Sequence, residues 1–161
     1  MSAIKPVLHK LVPAHDQAMT LHVIAHVPPH EPRETDPAYH LFNEAKARIK
    51  AAGQWFCNLG DDYCAGGVEL HHSEIEFSQQ EAMDYERVNK ALGFHIKSED
   101  EFAAWIESPD NLETLCVNHH RTHFGTHMLP GPLWNPLRFR KIGVAAGGEF
   151  IAAKDLPKGK P

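Results

Sequence analysis

Two short segments of the chain concentrate side chains that can bind a metal ion and move a proton. The first is Glu69-Leu70-His71-His72, and the second, residues 111 to 121, contains Asn111, Cys116, His119 and His120. A neutral imidazole accepts a proton near pH 7 and is also a common metal ligand. The segments could therefore supply a base, metal ligands and a polar orienting residue, which together can hydrolyse a phosphodiester with one bound cation.

The cysteines indicate a second kind of metal site. Cys57, Cys64 and Cys116 are an odd number, which argues against a disulfide framework and suits metal ligation in a reducing compartment. Cys116 and His119 have the Cys-x-x-His spacing that turns both side chains to one side. The three thiols and His119 could hold a tetrahedral zinc ion. The alternative is that the thiols are simply buried and free, and for Cys57 the sequence favours neither interpretation.

Several other polar residues near these segments have two readings. His123 follows His120 by three residues, so it is either an additional cation ligand or an exposed helix histidine. His95 and His127 are expected at the surface. Glu74 could tune or bind the ion, but a solvent-facing carboxylate is the simpler interpretation. Four basic residues could contact phosphates, or could simply be exposed: Arg121, Arg138, Arg140 and Lys141.

Strands and a helix are predicted to position these residues. Residues 68 to 72 and 112 to 116 read as short strands, and residues 117 to about 126 as one or two helical turns. With Asp36 as N-cap and Pro37 in the first turn, a helix should begin that ends just before Gly53 and packs against both segments.

Two further helices are expected between the strands. Ser78 with Glu81, and Ser98 with Glu101, have the spacing of capping boxes. The first helix would end near Gly93 and the second before Pro109. Their apolar positions are expected in the core: Met83, Val88, Leu92, Phe102, Trp105 and Ile106.

A histidine pair on the first of two strands and a histidine on the following helix is the layout of the ββα-metal finger. The chain resembles the HNH endonuclease family, especially its zinc-stabilised members from phages and prophages, over roughly residues 55 to 125. The matching residues are Glu69-Leu70-His71-His72, Asn111-Leu112, Cys116, His119 and His120, with nine positions from Asn111 to His120. The chain departs from the family at Cys57 and Cys64, which six residues separate where the family usually has two.

The resemblance implies an α+β fold: a ββα-metal finger with a structural zinc knuckle and with flanking and inserted helices. It implies that His72 is the general base, that His71 and His120 hold a divalent cation, and that Asn111 holds the loop that aims His72. The cation would be magnesium or manganese, with nickel or zinc as further options. Cys57, Cys64, Cys116 and His119 would hold the structural zinc, and the substrate would be double-stranded DNA.

Length and composition predict one domain with extensions. Residues 1–34 read as an extended Pro- and His-rich arm, 35–130 as the nuclease domain and 131–161 as a basic irregular tail with a hairpin near Gly147-Gly148. The chain has no run of roughly 18 consecutive apolar residues, which a membrane span needs. Its first residues also lack the apolar run of a secretory signal. We therefore expect a cytoplasmic protein, in the host cytoplasm if phage-encoded, without a membrane partner.

The charge distribution keeps other functions open. The net charge is -5. Residues 54–120 carry three basic and fourteen acidic side chains, whereas residues 121–161 carry seven basic and two acidic ones. Because no broad basic surface is evident, one alternative is a non-catalytic zinc module in a phage assembly or packaging complex. An RNA-directed or toxin-like nuclease is a second alternative, since the same catalytic atoms could act on either nucleic acid.

Overall fold

Two short strands and the helices around them give the chain a mixed α+β fold, as predicted. The computed structural model describes residues 27–29, 32–134 and 150–155, together with Asp16 and Ala18. Strand β1 (Val68–His72) pairs antiparallel with β2 (Leu112–Cys116), and Val68 lies opposite Cys116 while His72 lies opposite Leu112. Both strands have the predicted bounds. The helix after β2, however, is only Val117–Arg121, because Thr122 is in extended conformation.

The helix that precedes β1 starts later than predicted. Helix α1 is Tyr39–Ala51, and its N-cap residue is Ala38 rather than Asp36. The Asp36 carboxylate accepts a hydrogen bond from the backbone N–H of Ala38 at 2.7 Å, which forms a turn just ahead of the helix. The helix ends before Gly53, whose φ of 70° is the left-handed conformation expected after a helix.

The segment between the strands contains two helices, but only the second starts as predicted. Residues Phe77–Ala82 form a 3₁₀ helix, and α2 (Tyr85–Leu92) is capped by Asp84, whose carboxylate accepts from two backbone N–H groups at 2.9 and 3.2 Å. The capping box at Ser78 is therefore wrong. Helix α3 (Glu99–Ile106) does start at Ser98, whose hydroxyl accepts from the N–H of Glu101.

The inserted helices enclose a small hydrophobic core. Its buried members are Phe77, Val88, Ile96, Phe102, Trp105 and Ile106. The predicted core residues Met83 and Leu92 are instead exposed: Met83 precedes α2, and Leu92 is its last residue. Ile106 is fully buried in this core, so the end of α3 is anchored there.

Helix α4 (Val117–Arg121) follows β2 without a loop, and a last helical turn closes the described core. This turn, α5 (Gly131–Trp134), is the first part of the predicted irregular tail, and Trp134 packs in a second buried cluster with Leu115, Cys116 and Leu129. The described residues from 27 to 151 belong to one compact unit. The hairpin near Gly147-Gly148 and the three basic residues Arg138, Arg140 and Lys141 lie outside the described residues.

Within the described residues, no helix is both long and apolar enough to cross a membrane.

Candidate active site and metal centres

The two histidines of the pair face different neighbours and line the same cavity. Successive strand side chains point to opposite faces of a sheet. The His71 ring lies edge-on to His120 and His127, with ring centroids 5.0 and 4.9 Å apart, whereas the His72 ring stacks on Phe42 of α1 at 6.0 Å. Both rings are buried, yet both border a cavity of about 540 Å³. The pair therefore presents two imidazoles to one space from two directions.

Three histidines could together hold a metal ion: His71, His120 and His127, the cation group. One ring nitrogen from each lies within 4.8 Å of the others. Nε2 of His120 and Nε2 of His127 are 2.9 Å apart. Two imidazole nitrogens bound at right angles to one ion, with bonds of about 2.1 Å, would be separated by roughly 3 Å. The observed distance fits a shared cation.

His123, the alternative ligand, is outside this group, and His127 takes its place. His127 was expected at the surface, and its side chain is indeed 43% exposed, but its ring nitrogens lie among the candidate ligands. The chain turns sharply after α4, so that the N–H of Thr126 donates to the carbonyl of His119 at 2.9 Å. The N–H of His127 donates to the carbonyl of His120 at 3.3 Å. This turn folds His127 back over His120.

Carboxylates orient these imidazoles. Oε2 of Glu69 lies 2.6 Å from Nδ1 of His120 and 2.7 Å from Nε of Arg121. Oε1 of Glu76 lies 3.6 Å from Nδ1 of His71 and 3.5 Å from Nδ1 of His127. A carboxylate on the far nitrogen of a metal-binding imidazole fixes its tautomer and its ring orientation.

The same contacts shift the ionisation of Glu69 and His120. Burial alone would raise the pKa of Glu69, but its hydrogen bond to His120 and the charge of Arg121 outweigh it, so the pKa is below its ordinary value. Burial lowers the pKa of His120, and His127 and Arg121 lower it further against the opposing effect of Glu69. At neutral pH His120 is therefore mainly neutral, which is the form that binds a metal.

His72 is held on its inner side by a buried ion pair. Its Nε2 lies 3.1 Å from Oε2 of Glu107, the residue that follows α3. Arg33, just ahead of α1, donates from Nη2 to both oxygens of Glu107 at 3.2 and 3.1 Å. Nδ1 of His72 lies on the other side of the ring, 3.9 Å from Oε2 of Glu76, which borders the cavity.

Asn111 is fully buried and ties together the backbone on either side of the site that holds His72. Its carboxamide oxygen accepts from the N–H groups of Glu74 and Ile75, both at 3.0 Å. Its amide group donates to the carbonyls of Ile75 and Ile106 at 2.9 and 3.0 Å. Its own carbonyl accepts from the N–H of Ser73 at 2.7 Å. The three residues after His72 are thus fixed to the end of α3.

Cys57, Cys64, Cys116 and His119 come together in a second group that could hold a metal ion such as zinc. The three sulfurs lie 3.5, 3.7 and 3.3 Å from Nδ1 of His119. A tetrahedral zinc with Zn–S of about 2.3 Å and Zn–N of about 2.0 Å would place sulfur and nitrogen roughly 3.5 Å apart. The donor set and the spacing therefore both suit zinc.

The long Cys57 to Cys64 loop closes because it is tied at both ends. The N–H of Asn58 donates to the carbonyl of Thr114 on β2 at 2.8 Å, which places Cys57 beside the sheet. Asp61 then folds the loop, since its carboxylate accepts from the N–H of Tyr63 at 2.9 Å. The same carboxylate lies 3.4 Å from Nε2 of His119, on the side of that ring opposite the sulfurs. Cys57 is accordingly placed with the other three candidate ligands.

The pKa values of two of these thiols, Cys64 and Cys116, are shifted in opposite directions. Burial of the sulfur and the neighbouring Cys57 raise the pKa of Cys64 to about 12, although the residue as a whole is exposed. Burial would also raise the pKa of Cys116, but backbone hydrogen bonds from His119 and Ala65 lower it below its ordinary value. Without a metal, the group therefore keeps Cys64 protonated at neutral pH, and a bound metal would have to displace that proton.

Three basic side chains border the cavity of the cation group, although acidic residues outnumber basic ones in residues 54–120. They are Arg33, Lys46 of α1 and Arg121 of α4. Tyr39 and Phe42 of α1 line the same cavity, and the Arg33 guanidinium lies over both rings. Cationic side chains at a cavity suit a polyanion such as nucleic acid.

Comparison of the chain with protein-family models, with curated proteins and with solved structures finds no match.

Three residues beside His72 and the cation group were missed from the sequence. Arg33 and Glu107 are 74 positions apart, and neither lies in a recognisable motif. His127 follows His120 by seven positions, but the helix that carries His120 ends at Arg121, so helical periodicity does not relate the two residues. The one local signal was Gly125 between them, since a glycine in a polar segment favours a sharp turn.

Proposed function

We propose that this chain is a metal-dependent endonuclease of the HNH type, which hydrolyses phosphodiester bonds in double-stranded DNA. The observation that carries the proposal is the shared cavity. His71, His120 and His127 reach it as candidate metal ligands, and His72 reaches it as a base held by a hydrogen bond on its far nitrogen. A cation site next to an oriented imidazole is the arrangement that hydrolysis of a phosphodiester needs.

The three imidazoles of the cation group would hold a divalent ion and leave coordination positions for substrate and water. A cation bound there would neutralise charge on the scissile phosphate and on the leaving oxygen. Imidazole nitrogen suits zinc, nickel and similar transition metals, whereas magnesium prefers oxygen ligands. Because affinity for nitrogen ligands rises from manganese to nickel, we expect nickel, and then manganese, to support activity better than magnesium.

His72 would act as the general base. With its Nε2 turned to Glu107, the ring presents Nδ1 towards Glu76 at the cavity. A water molecule that gives its proton to Nδ1 would attack the phosphorus, the bond from phosphorus to the leaving oxygen would break with its electron pair going to that oxygen, and His72 would leave the step as imidazolium. Burial of the ring keeps competing bulk water away from it.

Lys46 and Arg121 would bind the phosphates on either side of the scissile bond. Both border the cavity, and Lys46 comes from outside β1, β2 and α4. Arginine and lysine contacts to phosphate fix the position of nucleic acid without reading its sequence. The acidic net charge is thus compatible with a local cationic path into the site.

The Cys57, Cys64, Cys116 and His119 group would bind a structural zinc. It joins the loop before β1 to the junction of β2 and α4, so its bonds would stabilise the elements that carry His71 and His120. A small fold with a short two-stranded sheet gains much of its stability from such a site.

The experiment is a nicking assay on supercoiled plasmid, combined with elemental analysis of the purified full chain. We expect one tightly held zinc per chain and nicking that requires added manganese, nickel or magnesium and stops with a chelator that spares the zinc. One zinc with no metal-stimulated cleavage of plasmid would contradict the proposal and favour a non-catalytic zinc module. Cleavage of a matched RNA in preference to plasmid would contradict the choice of DNA.

A further inference from the structure

The buried carboxylate of Glu107 lies next to His72, and it comes from outside β1, β2 and α4. The Glu107 side chain is 0% exposed and lies 3.1 Å from Nε2 of His72. It caps the inserted helix α3. The chain at Glu107 is also fixed next to Asn111, whose amide group donates to the carbonyl of Ile106. The carboxylate is therefore both close to the imidazole and rigidly held.

Arg33 is the charge partner that makes a carboxylate tolerable at this position. A buried charge is costly unless an opposite charge and hydrogen bonds satisfy it. Nη2 of Arg33 contacts both oxygens of Glu107, and the guanidinium lies over the Phe42 ring at 4.0 Å and the Phe77 ring at 5.3 Å. Aromatic faces favour a cation, so they hold the guanidinium in place.

These contacts define which nitrogen of His72 carries the proton. A carboxylate paired with a guanidinium only accepts hydrogen bonds, so Nε2 of His72 must donate to Glu107. Nη2 of Arg33 is also 3.4 Å from Nε2, but it cannot donate to a protonated nitrogen and belongs to Glu107. The proton on Nε2 leaves Nδ1 as the acceptor, on the side of the ring that faces Glu76.

We propose that Glu107 is a positioning residue for His72, fixing its ring and its Nε2–H tautomer, and that Arg33 holds the Glu107 carboxylate in place through its two hydrogen bonds. The inference about tautomer stands on geometry alone, while its consequence for catalysis rests on the proposed nuclease function. Under this proposal, the inserted helices place the Glu107 carboxylate next to His72. The segment before α1 places the Arg33 guanidinium next to that carboxylate.

The first test does not depend on activity. In zinc-loaded, ¹⁵N-labelled protein without added catalytic cation, long-range ¹⁵N–¹H spectra distinguish protonated from unprotonated ring nitrogens, and the His72 signals are those lost in His72→Asn. We expect Nε2 to be protonated in the wild type and the tautomers to mix in Glu107→Gln, because a carboxamide can donate as well as accept. A His72 proton on Nδ1, or an unchanged tautomer in Glu107→Gln, would overturn the proposal whether or not the protein cuts DNA.

The second test measures cleavage and separates positioning from folding. Glu107→Gln should lower kcat by about tenfold or more, because part of the population carries the proton on the wrong nitrogen and the imidazolium loses its carboxylate partner, while KM changes less than about threefold. Glu99→Gln, an exposed matched change on α3, should leave both constants unaltered. If Glu107→Gln fails to fold with Arg33 unpaired, the neutral pair Arg33→Met with Glu107→Gln replaces it. A folded, zinc-containing double variant with wild-type kcat would contradict the proposal.

Discussion

Gly125 packs directly against the backbone of His120, and this contact is what returns the chain to the cation group. A Cβ atom at Gly125 would lie 2.7 Å from both the carbonyl carbon and the carbonyl oxygen of His120. Neither atom can move aside, because both are backbone of α4. Only glycine permits the turn that places His127 over His120.

Gly125→Ala should therefore displace His127 without touching any ligand directly. We expect manganese affinity to fall about tenfold or more and the free energy of unfolding to fall by about 1–3 kcal/mol, the usual cost of overpacking. Isothermal titration with manganese and urea unfolding measure the two effects. Gly67→Ala is the matched control, since a Cβ there meets nothing within 4 Å. Wild-type manganese affinity in Gly125→Ala would show that the turn does not place a ligand.

His127→Ala tests the third candidate ligand itself. Its removal should weaken manganese binding by at least about tenfold, or about 1.4 kcal/mol, because one of three protein donors is lost. The zinc content should stay at one per chain, since His127 is not among the candidate zinc ligands. His95→Ala, an exposed histidine outside both groups, serves as the control. If the two variants bind manganese equally well, His127 is not a ligand.

Asn111→Ala should destabilise the fold more than it alters the ring of His72. Four hydrogen bonds of a fully buried carboxamide disappear, and a buried backbone group left without a partner costs about 1–3 kcal/mol. We expect urea denaturation to give a loss of at least about 2 kcal/mol. The exposed Asn43→Ala on α1 should cost almost nothing. Equal stability of the two variants would contradict the assigned role of Asn111.

Zinc binding should release protons, with Cys64 as an identifiable source. The pKa of Cys64 is raised to about 12 in the metal-free protein, so its thiol is protonated at pH 7.5 and must lose that proton to bind zinc. Zinc affinity should therefore rise with pH and fall on acidification. Calorimetry in two buffers of different ionisation enthalpy counts the protons, and Cys64→Ser should release about one fewer. An unchanged count in that variant would remove Cys64 from the zinc site.

The local part of the site was predictable, because its signals lie within a few residues of one another. Both strands, the Cys-x-x-His turn and the Ser98 cap follow from patterns that act over one helical turn or one strand. The first capping box failed because Asp84 offers a stronger cap nearer to the apolar face of α2, so Phe77–Ala82 stays a 3₁₀ helix.

The long-range part was not predictable, because it depends on the packing of elements far apart in the chain. Arg33 was assigned to an extended arm, yet it pairs with Glu107 across 74 positions. No residue pattern encodes that distance. His127 was assigned to the surface from its polar surroundings, and only the close approach of Gly125 to His120 places it in the cation group.

Single-turnover cleavage of supercoiled plasmid with manganese, comparing His72→Ala with His95→Ala, tests the central claim most directly. Both variants lose one imidazole, but only His72 lies at the cavity beside the cation group. We predict that His72→Ala keeps its zinc and its fold and loses about 10²- to 10⁴-fold in rate, while His95→Ala cuts at the wild-type rate. Wild-type cleavage by a folded His72→Ala variant would contradict the assignment of the general base and, with it, the proposed mechanism.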